Sequence, residues 1–274
     1  MNIAIYGKGG IGKSTIASNI SAYIGACGNR VLQIGCDPKH DSTLLLSNDD
    51  VTTVLEKIDS ENLAVSDFLK SGKYNVDCIE MGGPAPGVGC AGRGIIAGIK
   101  ILKDLKIINN EKYDMAIFDI LGDVVCGGFF EPLKSGFVDE LYIVTSGEFN
   151  SLFAANNLCK GYVNCRLADK GVILGGIIAN CRGIQKENEI ISKFCESVNV
   201  PLVSSIPRDI RIEKSTFLGK PLVQMNEEVT GYGDLVDKLS EISSYIFEQN
   251  KIRLQPTPIT LNELRNLYES IYAI

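Results

Sequence analysis

The segment GKGGIGKST, residues 7–15, decides the fold, because it lies between a short apolar run and a pattern typical of a helix. It fits the consensus G-x-x-x-x-G-K-[ST], in which the glycines let successive backbone N–H groups turn toward a phosphate. In such a loop Lys13 reaches the β- and γ-phosphates of a nucleotide, and the Ser14 hydroxyl holds Mg²⁺. The sequence therefore predicts a nucleotide-binding loop made of Gly7, Lys8, Gly9, Gly10, Ile11, Gly12, Lys13, Ser14 and Thr15.

The rest of the chain alternates short apolar runs with helical patterns. Continuous apolar strands separated by helices are typical of a parallel sheet that is covered on both faces. We therefore expect an α/β fold of the P-loop NTPase type, with a mostly parallel sheet flanked by helices, in a single domain over residues 1–274. Helices are expected between the strands, for example at 13–27 and 149–167. Strands are predicted at residues 2–6, 31–35, 77–81, 115–120, 140–146, 172–180 and 201–207.

A C-terminal extension begins at about residue 255, after a proline-rich break in the sequence. Its sequence, PTPITLNELRNLYESIYAI, has apolar residues at the spacing of one helix face. Such a helix could pack on its own chain or contact a partner, and the sequence leaves both alternatives open.

The composition argues against several classes of function. The chain has 274 residues and carries 27 lysines and arginines against 33 aspartates and glutamates, a net charge of −6. This balance argues against a nucleic-acid partner, whose phosphates attract a basic face. The sequence has no run of 18 apolar residues, and its first residues lack a signal-peptide pattern. We therefore expect no membrane association and a cytoplasmic location.

The loop contains a second lysine, Lys8, in addition to Lys13. Within its own chain, Lys8 is expected to point away from the phosphate that Lys13 binds. A lysine at this place resembles the ATPases with a deviant Walker A motif, in which the extra lysine crosses a dimer interface to the partner's nucleotide. The resemblance implies a homodimer that closes over two nucleotides.

Four aspartates lie at or after the carboxyl ends of predicted strands. Asp119 ends an apolar run in the Walker B form, which places an acid near Mg²⁺, and Asp123 comes four residues later. Asp37 and Asp41 follow the second strand, where a carboxylate beside the γ-phosphate can orient or deprotonate the attacking water. A single aspartate such as Asp41 could instead cap a helix. Because parallel sheets bind ligands at the carboxyl ends of their strands, and the GTP-specific motif NKxD is absent, the pattern favours ATP.

Eight of the nine cysteines fall into two groups. The sequence has no C-x-x-C, so the usual spacing of zinc or redox sites is missing. Cys90, in GPAPGVGCAGRG, and Cys126, in GDVVCGG, are both embedded in glycines. Six others are predicted to be free thiols that fill the core as small apolar side chains: Cys27, Cys78, Cys159, Cys165, Cys181 and Cys195.

The two glycine-embedded cysteines suit an iron–sulfur cluster shared between two chains. A [4Fe–4S] cluster needs about four thiolates, and a two-fold axis supplies them from Cys90 and Cys126 of each chain. Glycine N–H groups would bond to the cluster sulfurs, and a helix beginning near Ala91 would favour the cluster's charge. The spacing alone leaves open the alternative that both cysteines are unliganded thiols in turns.

Asp119, Asp123 and Cys126 share one short segment, DILGDVVCGG. A segment that contacts the γ-phosphate changes its order or position when that phosphate is lost, and nucleotide switches transmit their state in this way. We expect this segment to communicate the nucleotide state to whatever Cys126 holds.

Five segments together resemble the nitrogenase iron protein family: GKGGIGKST, GCDPKHDST, GGPAPGVGCAGRGI, DILGDVVCGGF and AANN. Its relatives include the ATP-dependent reductase subunits of dark protochlorophyllide and chlorophyllide reduction and of the nickel-tetrapyrrole reductive cyclase. The resemblance covers the whole chain and implies a homodimer that binds MgATP and carries one bridging [4Fe–4S] cluster. It also implies that ferredoxin or flavodoxin supplies electrons. ATP hydrolysis is then coupled to one-electron transfer into a larger catalytic reductase component, of the nitrogenase MoFe type or nitrogenase-like.

The same resemblance assigns expected roles to individual residues. Cys90 and Cys126 would be the cluster ligands, and Lys8 would act across the dimer interface. Arg93 matches an arginine that faces the partner protein and is ADP-ribosylated in some members. The remaining expected contacts are Asp37 and Asp41 in switch I, Asp119 and Asp123 in the Walker B and switch II segment, and Asn180, Pro207, Arg208 and Asp209 beside adenine.

Three features bear on which partner the chain reduces. The C-terminal segment resembles the extension of the nitrogenase iron protein, which the tetrapyrrole subunits typically lack. His40, the only histidine, stands where the chlorophyll-type pattern has histidine and the nitrogenase pattern usually has alanine. We expect His40 to be an exposed loop residue rather than a proton carrier. The run PRDIRIEKST also departs from the usual PRDN. Nitrogenase is the leading partner, and another nitrogenase-like reductase is the alternative.

Two functions of other classes fit less well. Cluster-free P-loop ATPases that position proteins share the lysine pair but not the two glycine-embedded cysteines. They often carry a membrane-binding amphipathic tail, whereas here Glu263 and Glu269 place acids beside the few bases of the tail, a poor match to anionic lipid. Iron–sulfur carriers or scaffolds of the P-loop type would bind a cluster through closely spaced cysteines, which the separation of Cys90 and Cys126 does not provide.

Overall fold

The computed structural model describes residues 1–47, 51–58, 60, 63–83, 91–108, 111–122, 127–248 and 254–273. Cys90, Asp123 and Cys126, three residues of the predicted site, lie outside these ranges, so their roles stay predictions. The described residues form one eight-stranded sheet in the order β3-β4-β2-β5-β1-β6-β7-β8. The strands are β1 (Asn2–Gly7), β2 (Val31–Cys36), β3 (Lys70–Ser71), β4 (Val76–Glu80), β5 (Met115–Ile120), β6 (Glu140–Thr145), β7 (Ile173–Asn180) and β8 (Leu202–Ile206).

Nine α-helices lie within the described ranges, five of them between strands and four after β8. They are α1 (Lys13–Ala26), α2 (Ala91–Asp104), α3 (Glu131–Lys134), α4 (Phe149–Asn164), α5 (Glu187–Val198), α6 (Ile210–Phe217), α7 (Leu222–Glu228), α8 (Gly233–Phe247) and α9 (Leu261–Tyr272). Every pair of neighbouring described strands is parallel except β3 and β4, which are antiparallel. The predicted mostly parallel α/β sheet is therefore confirmed.

Two hydrophobic cores lie on the two faces of the sheet. Alternate residues of β1 point to opposite faces, so Ala4 and Tyr6 join one core and Ile3 and Ile5 join the other. The first core includes side chains of α2, α4, α5 and α9, and the second includes side chains of α1, α7 and α8. Because both faces are covered, the central strands consist of nearly continuous apolar residues, which made them recognisable in the sequence.

Apart from strand bounds that differ by one residue at one or both ends, the predicted elements differ from the observed ones in two places. The two-residue strand β3 was not predicted, because Lys70 and Ser71 carry no apolar pattern and lie at the sheet edge. Helix α4 ends at Asn164 rather than near residue 167, since Arg166 has a positive φ of 50° that is incompatible with a continuing helix. Helix α1 ends as expected, with Gly28 in the left-handed region at φ 94°.

The C-terminal extension packs on its own chain. Its backbone at Ile259 exchanges two hydrogen bonds with the side-chain amide of Asn156 on α4, at 2.7 and 2.9 Å. Thr260 then caps α9 in a capping box with Glu263. The helix contacts α5 and buries Leu264, Leu267 and Ile271 in the first core. Of the two alternatives left by the sequence, the extension adopts the intramolecular one.

Most of the predicted core cysteines are buried or pack against the core. Cys78, Cys159 and Cys195 are buried, and burial raises the pKa of each thiol to about 12. Cys165 and Cys181 are partly buried against the first core. The prediction was wrong for Cys27, which is exposed because it follows the last residue of α1 as its C-cap.

The side chains and helices of the described residues bear on metal binding and on membrane crossing. Among these residues, no group of three or more histidine, cysteine, aspartate or glutamate side chains is arranged to hold a metal ion. The described helices also include none with the length and apolar character needed to cross a bilayer.

Candidate nucleotide and switch site

The P-loop leaves the carboxyl end of β1, a strand in the middle of the sheet between β5 and β6. Its path needs glycine at Gly10 and Gly12, whose φ angles of 74° and 91° lie in the left-handed region. Gly12 is the N-cap of α1, and no side chain among the described residues bonds to the amides of its first turn. Those N–H groups and the helix dipole are the elements that bind a phosphate at a helix N-terminus.

Lys13 and Asp119 form a buried ion pair beside this loop. The Lys13 Nζ lies 3.3 Å from Asp119 Oδ1, with exposed fractions of 6% and 0% for the two side chains. Within the described part of the chain, neither carboxylate oxygen of Asp119 takes part in a hydrogen bond. A buried carboxylate with free lone pairs suits Mg²⁺ or its bound water, because oxygen ligands and water complete the coordination of this ion. The residues present therefore fit a nucleotide-bound magnesium ion.

The segment after Asp119 passes directly over the P-loop. A Cβ atom added to Gly122 would overlap the backbone of Gly7, the first residue of the loop. Only a glycine therefore allows this close approach. Asp123, the next residue, is the predicted switch II aspartate and lies outside the described residues.

The predicted switch I residues surround a turn after β2. Asp37 is buried, and its Oδ1 accepts a hydrogen bond from the backbone N–H of Lys39 at 3.0 Å. Asp41 and His40 are exposed, so the expected position of His40 in an exposed loop is confirmed. The alternative that Asp41 caps a helix is wrong, because residues 42–46 form turns and no helix starts at Ser42. Lys8 is half-buried in the P-loop.

Glu80 is a buried carboxyl that the sequence reasoning missed. It ends β4, and its Oε1 accepts hydrogen bonds from the N–H and the hydroxyl of Thr43, both at 2.8 Å. Its Oε2 has no hydrogen-bond partner among the described residues. Burial raises the pKa of Glu80 to about 8, and the negative charges of Asp119 and Asp41 act in the same direction, against the two Thr43 hydrogen bonds. The sequence signal that could have identified Glu80 was a glutamate near the end of the apolar run DCIEM.

A buried polar network joins the switch I segment to α1. The Gln33 side-chain amide donates to the Ser42 carbonyl and hydroxyl, both at 3.0 Å, and accepts from Ser21 on α1 at 2.5 Å. Ser18, also on α1, donates to the Ser42 carbonyl at 2.6 Å. The helix that starts at the P-loop is therefore hydrogen-bonded to the segment between Asp41 and Thr43.

A cavity of about 640 Å³ adjoins the P-loop on the side of β7 and α6. Its lining includes the four residues predicted to lie beside adenine: Asn180, Pro207, Arg208 and Asp209. The Asn180 carboxamide also donates to the Ile11 carbonyl at 2.6 Å. Asp209 caps α6 and bonds to Arg211, and these hydrogen bonds hold the pKa of the Asp209 carboxyl below its usual range.

The sequence analysis also did not identify Arg182 as a residue of this site. It lines the same cavity, and its guanidinium donates to the carbonyl of Gly10 at 2.6 Å. An arginine two residues after Asn180 at the end of a predicted strand was the only local signal.

The two cysteine-containing segments are close to one another in their described parts. Helix α2 begins at Ala91, as predicted, and Arg93 on its first turn is exposed. A Cβ atom added to Gly128 would come within 2.6 to 2.8 Å of the Gly92 backbone, so the two glycines pack backbone against backbone. In the sequence, Cys90 is two residues before Gly92, and Cys126 is two residues before Gly128.

Comparisons with known proteins agree on one family. The family model described as 4Fe-4S iron sulfur cluster binding proteins, NifH/frxC family, matches residues 1–274. Nitrogenase iron protein 2 of Methanobacterium ivanovii is 43% identical over 267 residues, which are 97% of each chain. Nitrogenase iron protein 2 of Methanothermobacter thermautotrophicus is 45% identical over 241 residues, covering 86% of this chain and 88% of that protein.

Similarity to a solved structure supports the fold of this chain and nothing about its function. The septum site-determining protein MinD from Pyrococcus horikoshii, complexed with Mg-ADP, superimposes with a TM-score of 0.66 at 22% identity. The match covers 93% of this chain and 98% of that chain. The sheet and its flanking helices therefore have the same fold as that protein.

Proposed function

Because the chain belongs to the NifH/frxC family of 4Fe-4S iron sulfur cluster binding proteins, we propose that it is the ATP-dependent, electron-donating component of a two-component reductase. Nitrogenase is the proposed partner, since relatives named nitrogenase iron proteins align over most of the chain at 43% and 45% identity. Ferredoxin or flavodoxin is the proposed electron donor, and the proposed location is the cytoplasm.

The proposed nucleotide site uses the P-loop, Lys13, Ser14 and Asp119. Lys13 neutralises phosphate charge, and Ser14 and Asp119 hold Mg²⁺ directly or through water. Asn180, Pro207, Arg208 and Asp209 receive the adenine end in the adjoining cavity. Lys8 acts on the nucleotide of the partner subunit, and Asp37, Asp41 and Asp123 orient the attacking water and sense the γ-phosphate.

The proposed redox site is formed by two copies of the chain. Cys90 and Cys126 of each subunit would hold one [4Fe–4S] cluster between them, and that cluster would supply one-electron chemistry. The first turn of α2 lies next to this site, so its N–H groups favour a negatively charged group there. We assign Arg93, which is exposed on the same turn, to the proposed docking surface for the larger catalytic component.

Two backbone contacts together carry the proposal, one between Gly122 and Gly7 and one between Gly128 and Gly92. The first contact joins the segment after Asp119 to the P-loop. The second joins the same segment, a few residues later, to the helix that follows Cys90. One short stretch of chain therefore connects the nucleotide site to the proposed redox site. This connection supports a function in which nucleotide state and electron transfer are coupled.

The first test is anaerobic purification followed by iron analysis and electron paramagnetic resonance of the dithionite-reduced protein. We expect about four irons per dimer and a signal that changes when MgATP is added. An electron-transfer assay with a purified nitrogenase catalytic component, and in parallel with a tetrapyrrole-reducing one, then identifies the partner. A folded dimer that hydrolyses ATP but contains no iron contradicts the proposal and favours a protein-positioning ATPase.

A further inference from the structure

We propose that the C-terminal helix α9 and Glu187 form a brace that positions the P-loop from outside the nucleotide cavity. The inference deepens the proposed function and rests on it, because it concerns the same nucleotide site. The brace runs from Tyr268 on α9 through Gly147 and Glu187 to Arg182, whose side chain holds the loop. Of these residues, Arg182 is the one that lines the 640 Å³ cavity in the described structure, so the others act at a distance from the nucleotide.

The inner end of the brace is a pair of hydrogen bonds to consecutive carbonyls of the P-loop. Arg182 donates to the Gly10 carbonyl and Asn180 donates to the Ile11 carbonyl, both at 2.6 Å. Carbonyls that are bonded from outside the loop leave its N–H groups free to face a phosphate. The positions of these two side chains therefore affect how well the loop is preorganised for a nucleotide.

Glu187 fixes the backbone that carries Arg182. The Glu187 carboxylate is buried and accepts hydrogen bonds from four backbone N–H groups in two different loops. These donors are Gly147 at 2.9 Å, Arg182 at 2.9 Å, Gly183 at 2.7 Å and Ile184 at 3.2 Å. Hydrogen bonds to an ionised carboxylate are roughly twice as strong as neutral ones, so this carboxylate holds the β6–α4 and β7–α5 loops together.

Helix α9 holds the same two loops from the other side. The Tyr268 hydroxyl donates to the Gly147 carbonyl at 2.6 Å, and the Tyr272 hydroxyl donates to the Gln185 carbonyl at 3.0 Å. In return, Lys186 donates to the Ile271 carbonyl at 2.5 Å. The Tyr268 ring also packs against Phe149, with ring centroids 5.3 Å apart. Gly147 is therefore held on both sides, because its N–H donates to Glu187 and its C=O accepts from Tyr268.

The test measures the dissociation constant of MgADP for the purified, full-length protein, because MgADP reports binding without hydrolysis. Tyr268→Phe removes one hydroxyl of the brace and keeps the ring. The matched control is Tyr245→Phe, which removes a tyrosine hydroxyl that donates to the Gly175 carbonyl at 3.0 Å, away from the P-loop. Glu187→Gln is the second variant. It replaces one carboxylate oxygen with an NH₂ group, which cannot accept hydrogen bonds from the backbone N–H groups around it.

We expect Tyr268→Phe to weaken MgADP binding about threefold to tenfold, the effect of losing one hydrogen bond. Glu187→Gln should weaken it by about tenfold or more, since a charged acceptor with several donors is lost. Tyr245→Phe should leave the affinity within about twofold, although both tyrosine variants lower the melting temperature by similar amounts. Hydrogen exchange of residues 7–15 without nucleotide should become faster in Tyr268→Phe and stay unchanged in Tyr245→Phe.

The outcomes separate the brace from the proposed function. If the wild-type protein binds no MgADP, the proposed nucleotide site itself is wrong, and the brace is wrong with it. If the wild type binds MgADP and both Tyr268→Phe and Glu187→Gln bind it equally well, only the brace is overturned. Should Glu187→Gln fail to fold, Tyr268→Phe and its hydrogen exchange decide the question alone.

Discussion

The backbone of Gly122 lies directly against the backbone of Gly7, so that a Cβ atom on Gly122 would overlap the Gly7 peptide. This contact places the segment that follows Asp119 on top of the P-loop. A change in the P-loop, such as the gain or loss of a phosphate, must therefore move or release that segment. Close packing transmits such shifts because packed backbones cannot be compressed.

Gly122→Ala tests this contact. The added methyl group would overlap the Gly7 backbone, so either the segment after Asp119 or the P-loop must shift. We therefore expect MgADP affinity to fall by about tenfold or more. The melting temperature should fall as well, because overpacking costs about 1–3 kcal/mol. Gly233→Ala is the control: Gly233 begins α8, and the only described atom near its Cβ position is Asn226 Oδ1 at 3.8 Å. An alanine at 122 that binds MgADP normally would show that the contact carries no coupling.

Lys13→Gln tests the buried ion pair with Asp119. Removing the ammonium leaves a buried carboxylate without its counter-charge, and breaking such a pair costs about 3–5 kcal/mol of unfolding free energy. The double variant Lys13→Gln/Asp119→Asn should recover part of that loss, because it removes the uncompensated charge. Urea unfolding of the apoprotein measures both effects, with Lys100→Gln as the control, since Lys100 is exposed on α2.

The same substitution tests the nucleotide assignment. Lys13→Gln should abolish ATP-driven electron transfer while the iron content stays at the wild-type level. A Lys13→Gln protein that still couples ATP turnover to reduction of its partner would mean that the P-loop does not bind the hydrolysed phosphate.

Glu80 should make the stability of the fold fall as pH rises. Burial raises its pKa from the ordinary 4.5 to about 8, so between these values the folded chain holds a proton that the unfolded chain releases. The stabilisation is fully present below the unfolded pKa and is lost as pH rises through the folded one. The contribution falls by up to about 1.4 kcal/mol per pH unit inside that window, and the slope decreases near the folded pKa, so the loss between pH 6 and pH 8 is about 2 kcal/mol.

Glu80→Gln removes this titration and keeps an oxygen that can accept from Thr43. We therefore expect the urea midpoint of the variant to change less between pH 6 and pH 8 than that of the wild type. Glu269→Gln, an exposed glutamate on α9, is the control and should follow the wild-type pH dependence. Parallel pH profiles for wild type and Glu80→Gln would mean that Glu80 is ionised in the folded protein at neutral pH.

Local sequence patterns predicted the sheet, the P-loop and the Walker B aspartate, because each depends on residues that are neighbours in the chain. The residues that were missed act over long separations. Glu80 bonds to Thr43, 37 positions away, Glu187 bonds to Gly147, 40 positions away, and Arg182 bonds to Gly10, 172 positions away. Their importance depends on which strands become neighbours in the sheet, and a single sequence does not encode that order locally.

The two cysteines show a different limit of sequence reasoning. Cys90 and Cys126 stood out because glycines surround them, and the family resemblance then gave them a role as ligands. In the fold, their described neighbours Gly92 and Gly128 are in backbone contact. The ligand role itself needs a chemical test.

Cys126→Ser supplies that test. A bridging [4Fe–4S] cluster with two cysteines from each subunit would lose two of its four ligands in the variant dimer, so we expect the iron content to fall to background. MgADP affinity should stay within about threefold of wild type, because the cysteine contributes no phosphate contact in the proposed site. Cys27→Ser is the matched control, since Cys27 is an exposed thiol at the end of α1, and this variant should retain full iron.

Equal loss of iron and of nucleotide binding in Cys126→Ser would indicate that residue 126 supports the fold of its segment rather than ligating iron. Full iron in Cys126→Ser would remove Cys126 from the ligand set and, with it, the proposed two-fold symmetric cluster.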